Sequence, residues 1–115
     1  MNGLIERLFD GFTVGGVEVP VAFLRYEGHG EPYVTYMQED ADRSLSGDDG
    51  YIGYVAFYDF DVYSKGNYFP IIEELKRVLT ENGFVWQPSR SGGDFYEADT
   101  GYYHRTVSFA IPREV

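Results

Sequence analysis

The chain has 115 residues, of which 43% are hydrophobic and 18% aromatic, with no cysteine and a formal net charge of −10. That length fits a single domain over residues 1–115. The apolar content excludes a disordered chain, and the absence of cysteine excludes disulfide staples and thiolate metal sites. So negative a chain repels polyanions, which argues against sequence-specific nucleic-acid binding and against anionic membrane surfaces.

Residues Met1–Asp10 hold no basic stretch followed by an apolar one, so no signal peptide is expected. No apolar run is long enough to span a bilayer. Leu4, Ile5, Leu8 and Phe9 recur at helical spacing, predicting a short N-terminal helix that Asp10-Gly11 ends. Val17, Val19, Val21 and Phe23 alternate with other residues as a strand does, and Pro20 within that run implies an edge or a bulge. A turn over 27–32 carries two glycines, His29 and Pro32, and Tyr33–Met37 is β-rich, so a hairpin with the preceding run is expected.

Residues 38–50 are read as an acidic flexible loop holding Glu39, Asp40, Asp42, Asp48 and Asp49 against one Arg43. Tyr51–Ser64 is the longest strand candidate. Ile52, Tyr54, Ala56, Tyr58, Phe60 and Val62 share one face, while Val55, Phe57, Asp59, Asp61 and Tyr63 share the other. The second face is apolar early and acidic late, as expected of a central strand uncovered at one end.

A helix follows over about 68–81. Asn67 is the expected N-cap, Pro70 fits the first turn, and Ile71, Ile72, Leu75, Val78 and Leu79 form one apolar stripe. Glu73 and Arg77 are spaced to pair on its outer side, and Asn82-Gly83 supplies a left-handed stop. A short strand over Phe84–Gln87, a strand or loop over Phe95–Asp99, and a long last strand from Tyr102 to Ile111, stopped by Pro112, complete the chain. Together these predict an α+β fold. It has a mostly antiparallel β-sheet with one main amphipathic helix and a short N-terminal helix packed on it. Whether both helices share a face depends on where the first one docks.

Residues able to carry chemistry are few. Asp59 and Asp61 point to one face of a strand about 7 Å apart, a spacing that suits paired carboxylates or a divalent ion. With Glu97, Asp99, His104 and Lys65 nearby they define one alternative, a metal-dependent, nuclease-like enzyme. The plainer reading is the solvated end of a half-buried strand. Asp40-x-Asp42-x-Ser44 begins like a calcium loop, but Leu45 stands where the loop needs glycine and Tyr51 where it needs glutamate. No nucleophile elbow or phosphate-binding glycine loop is present. No catalytic residue, metal or cofactor is therefore assigned. The surplus of tyrosine is read as an aromatic core, or as subunit-interface aromatics at Tyr58, Tyr63 and Tyr102. A third alternative is an acidic monomeric adaptor or inhibitor.

Pro32-Tyr33-Val34-Thr35-Tyr36 before the acidic segment, then Asp61-Val62-Tyr63-Ser64-Lys65, Ile71-Ile72-Glu73-Glu74-Leu75-Lys76 and Asn82-Gly83-Phe84 follow one another in a recognisable order. Tyr96-Glu97-Ala98-Asp99-Thr100-Gly101-Tyr102-Tyr103-His104 then leads into the last strand. Over about residues 32–111 this order resembles phage and prophage tail-completion proteins, also called tail terminators or head–tail joining proteins. The resemblance implies a sheet flanked by helices and a non-enzymatic virion protein. Its copies would form a ring, often a hexamer, at the head-proximal end of the tail, against the tail-tube protein and the head-completion or connector protein. It implies a virion location, with assembly in the host cytoplasm. In that setting the carboxylates of residues 38–50 would line a channel or order against a docking ring.

Overall fold

The computed structural model describes residues 2–26, 31–42, 46–47, 50–51, 53–89 and 91–114. His29, Arg43, Asp48, Asp49 and Ile52 lie outside the described residues. In chain order the elements are α1 (Asn2–Leu8), β1 (Thr13–Val14), β2 (Val17–Glu18), β3 (Val21–Phe23), β4 (Tyr33–Asp42) and β5 (Ser46–Gly47). They continue with β6 (Gly50–Tyr51), β7 (Gly53–Ser64), α2 (Phe69–Glu81), β8 (Val85–Trp86), β9 (Asp94–Glu97) and β10 (Tyr102–Glu114). The fold is α+β. One main sheet runs β3-β4-β7-β10-β8, with β9 beside the first part of β10, and every pairing in it except β3–β4 is antiparallel.

β7 is the central strand because its alternation supplies two different faces. Ala56, Tyr58, Phe60 and Val62 are buried, and the register sets them beside Val34 and Tyr36 of β4 and Val107, Phe109 and Ile111 of β10. Both helices cover this one face. Ile5 of α1, with Phe9 just beyond it, joins Ile71, Ile72, Leu75 and Leu79 of α2 in a single core with those strand residues. The question of where α1 docks is answered by the rings of Phe9 and Phe60, 6.2 Å apart. Each aliphatic side chain buried this way contributes roughly 1.5–3 kcal/mol relative to exposure.

α2 has the expected stripe with shifted caps. Tyr68 occupies the N-cap position, and Asn67 Oδ1 accepts the Phe69 N–H at 3.1 Å from one residue earlier. At the other end Gly83 takes φ +90°, Phe84 N–H donates to Leu79 O at 3.0 Å and Gly83 N–H to Thr80 O at 3.4 Å. That pair of bonds is a Schellman termination. Arg77 pairs with Glu74 and Glu81 rather than with Glu73, which lies 4.0 Å from Lys76.

Several strand expectations are corrected. The 17–23 run is broken at Val19-Pro20: Gly15 and Gly16, at φ +58° and +81°, turn β1 back onto β2 (Val17–Glu18), and Val19 then drops into the core before β3 begins. β3 then pairs with β4 in parallel, not as a hairpin. Alternation carries no information about strand direction. β4 extends through Glu39, Asp40 and Ala41 to Asp42 opposite β7, with a register shift between Gln38 and Asp40, so the front of the expected acidic loop is strand. β5 and β6 pair with each other within its remainder. β10 passes through Pro112, paired with Val55, instead of stopping there. This is allowed because β8 reaches only Phe109 and Ala110, so among the described residues no strand pairs with Pro112 on that side.

Strands of this length give an elongated molecule. Its extents are 52 × 27 × 23 Å and its radius of gyration is 15.2 Å, against roughly 13 Å for a compact chain of this size.

Candidate functional site

Two surfaces are left by this architecture, the sheet face away from the helices and the two sheet edges. The uncovered face is ordered in rows by cross-strand register. Its first row is aromatic, with Tyr33 stacked on Tyr63 at 4.8 Å and Tyr63 on His104 at 4.3 Å. Tyr26 and Phe95 continue the row at either side, and Tyr102 meets the edges of Tyr33 and Tyr63. Such pairs add about 0.5–1.5 kcal/mol each beyond their buried area. Burial raises the Tyr63 hydroxyl to about 12, and the charge of Asp61, with Tyr33 and Glu97, adds to the rise. Tyr33 is raised by burial first and then by Tyr102 and Glu97.

The next rows are polar. Asp61 Oδ1 accepts a hydrogen bond from Thr106 Oγ1 at 2.5 Å and lies 3.0 Å from His104 Nε2. Asp59 Oδ1 accepts from Ser108 Oγ at 2.5 Å. Both carboxylates thus occupy one face, as their spacing predicts, and each is already held by a neighbour on β10. Glu97 faces Tyr102 across β9–β10, and Asp99 lies in the turn that joins those strands, so the four acids of the enzyme alternative are not gathered. Among the described residues no group of three His, Asp or Glu side chains is placed to hold a metal ion. The carboxylates can accept hydrogen bonds and bind cationic groups. Lys65 extends over the Tyr102 ring, 5.3 Å from its centre.

Of the three aromatics read as interface residues, Tyr58 is corrected. It lies on the helix-covered face, 1% exposed, with its ring edge-on to Phe84. Tyr63 and Tyr102 are half-buried on the uncovered face. Glu39, Asp40 and Asp42 are strand positions of β4. Beside the start of α2, a cleft of about 460 Å³ is lined by Lys65, Asn67, Tyr68, Phe69, Asp94 and Tyr103. Tyr68 donates its hydroxyl proton to Asp94 there. Burial first, and then that bond, pushes Tyr68 up to about 12.

The edges hold what sequence reading missed. Val17, Phe23, Leu24 and Met37 are exposed along the β2–β4 side of the molecule. Phe69, Val85, Trp86, Phe95, Tyr96 and Tyr103 are exposed on the β8–β9 side and at the neighbouring start of α2. The signal available was aromatic residues in short runs between turn residues, such as Val85-Trp86 before Pro88 and Phe95-Tyr96 after Gly92-Gly93. Comparison of the chain with protein-family models and with curated protein sequences finds no match.

Proposed function

We propose that this chain is a non-enzymatic structural subunit that assembles head to tail into a ring, in the role of a phage tail-completion protein. In that role it ends the tail tube and meets the head connector, as a tail terminator or head–tail joining component of the virion. The observation that carries the reading is the distribution of exposed apolar side chains. Among the described residues, the large exposed hydrophobic side chains gather on two unlike sides of the molecule, Val17, Phe23, Leu24 and Met37 by β2–β4 and Phe69, Val85, Trp86, Phe95, Tyr96 and Tyr103 by β8–β9 and the start of α2. Clustered apolar exposure marks contact surfaces. Two different borders on opposite sides of one subunit suit a heterologous contact, which closes into a ring when the rotation permits. The order of motifs over residues 32–111 supports the tail-completion role in general, and the aromatic anchors Trp86, Phe95 and Tyr96 are of the type that dominates interface energies.

The test is the mass of the purified protein across a concentration range, by light scattering after size-exclusion chromatography, with negative-stain imaging of large species. A closed ring near six subunits is expected, and Trp86→Glu is expected to return it to monomers. A monomer at every concentration, with a mass indifferent to Trp86→Glu, overturns self-assembly as the purpose of these borders.

A further inference from the structure

The β8 side of the molecule carries a cation among its apolar side chains. Val85 and Trp86 are exposed, and Lys76 of α2 extends its ammonium over the indole, 3.8 Å from the ring centre. β8 is fixed by its pairing with Phe109 and Ala110 of β10, so the sheet holds the indole while the helix holds the ammonium. That charge is weakly answered within the subunit, since Glu73, itself largely exposed, stands 4.0 Å away. Two hydrophobes and one cation thus form a single patch.

The β2 side offers a patch of opposite sign. Val14 pairs with Val17 across a two-residue turn in which Gly15 and Gly16 both take positive φ, the geometry of a tight hairpin. A Cβ placed on either glycine meets nothing within 4 Å, so the turn projects. The returning strand presents Val17 and Glu18, both exposed. Glu18 has no ion-pair partner among the described residues. Elsewhere on this side Leu24 is followed by Arg25, which has the same sign as Lys76. Val17-Glu18 is therefore the apolar segment whose charge matches the β8 patch.

We propose that the β1–β2 hairpin of one copy seats on the β8 patch of the next, with Val17 against the Trp86 indole and the Glu18 carboxylate on the Lys76 ammonium. This contact rests on the self-assembly proposed above and names the residues that meet in it. The apolar groups supply buried area, and the charges decide which side meets which. Either patch set against its own counterpart in a two-fold contact brings like charges together, so the pairing favours head-to-tail growth.

The experiment uses the full chain. Association is followed by light scattering across a concentration range and by the emission of Trp86, the one tryptophan in the sequence. Assembly should move that emission to shorter wavelength, because Val17 covers the indole. E18K sets lysine against lysine and should weaken association by about tenfold or more. It also makes the chain less negative, so general repulsion cannot cause the loss. E18K/K76E exchanges the two charges and should regain the association of the unaltered protein to within about threefold. Association that leaves Trp86 emission unchanged, or that E18K leaves intact, overturns the contact, and both readouts leave Lys76 in place. A double variant with unaltered circular dichroism that remains as weak as E18K overturns the charge pairing. If Trp86→Glu still breaks association in those cases, self-assembly stands and only this contact falls. A chain monomeric at every concentration overturns both.

Discussion

His104 Nε2 lies 3.0 Å from Asp61 Oδ1, a contact that joins residues 43 positions apart. The register pairs Tyr63 with His104 and Asp61 with Thr106, so the histidine reaches the carboxylate diagonally across β7–β10 while its ring stacks on Tyr63. Asp61 therefore anchors two side chains of β10 at once, and at 21% side-chain exposure it does so partly out of water. Asp61→Ala leaves the Thr106 hydroxyl and His104 Nε2 without their acceptor, and is expected to destabilise the fold by about 1–2 kcal/mol. Asp61→Asn keeps an acceptor oxygen and should cost less. Urea unfolding of both variants, read by tyrosine fluorescence and circular dichroism, checks the order. Equal loss in the two would show that charge, not acceptance, holds this corner.

Tyr63 and Tyr68 should titrate well above the ordinary tyrosine range. Each is pushed up to about 12, chiefly by burial, with Asp61 beside the first and Asp94 beside the second. In the unfolded chain both ionise near pH 10. Between pH 10 and 12 the unfolded state therefore binds fewer protons at these two sites than the folded state does, and stability falls as pH rises. Their contribution is fully present below pH 10 and is lost as pH passes through about 12. Absorbance near 295 nm should show a late step that Tyr63→Phe and Tyr68→Phe each reduce. A single step near pH 10 in the folded protein would sink the prediction.

Gly83 ends α2 at φ +90°, and a Cβ placed there meets nothing within 4 Å. Space is thus available and only the backbone objects. Gly83→Ala is expected to cost about 1 kcal/mol, from the left-handed conformation alone. Gly66 has no such positive φ and also has room for a Cβ, so Gly66→Ala should be close to neutral. Thermal melts of the two variants measure the difference.

The elements most legible in the sequence are those whose pattern and boundaries agree. Ile71, Ile72, Leu75 and Leu79 announce α2 by spacing, and Asn82-Gly83 marks its end. The alternation from Ala56 to Val62 announces β7 and its buried face. The first strand run misled because Val17, Val19, Val21 and Phe23 alternate correctly while the chain leaves the strand at Val19-Pro20, between β2 and β3. Asp40 and Asp42 read as loop because charge dominates their segment, yet the register carries β4 through them opposite Phe57 and Val55 of β7. Of the candidate residues, the shared face of Asp59 and Asp61 was legible from their spacing. Their capture by Ser108 and Thr106 was not, because those partners lie 45 or more positions away and meet them only through the register of β7 and β10.

Sequence by itself determined the class of fold, the two helices, the central strand and which of its faces is apolar, because these follow from local period and local stops. Tertiary structure decided that β3 lies parallel to β4, that Tyr58 is core while Tyr63 is not, and that β3 stops short along β4. It also decided that exposed Trp86, Phe95 and Tyr96 come together on the β8–β9 side, with Phe69 of α2 and Tyr103 of β10 exposed as well. Those outcomes depend on which strands meet and how far each one reaches, and pairing between distant segments is set by the packing of the whole chain on one core rather than by any stretch of it alone.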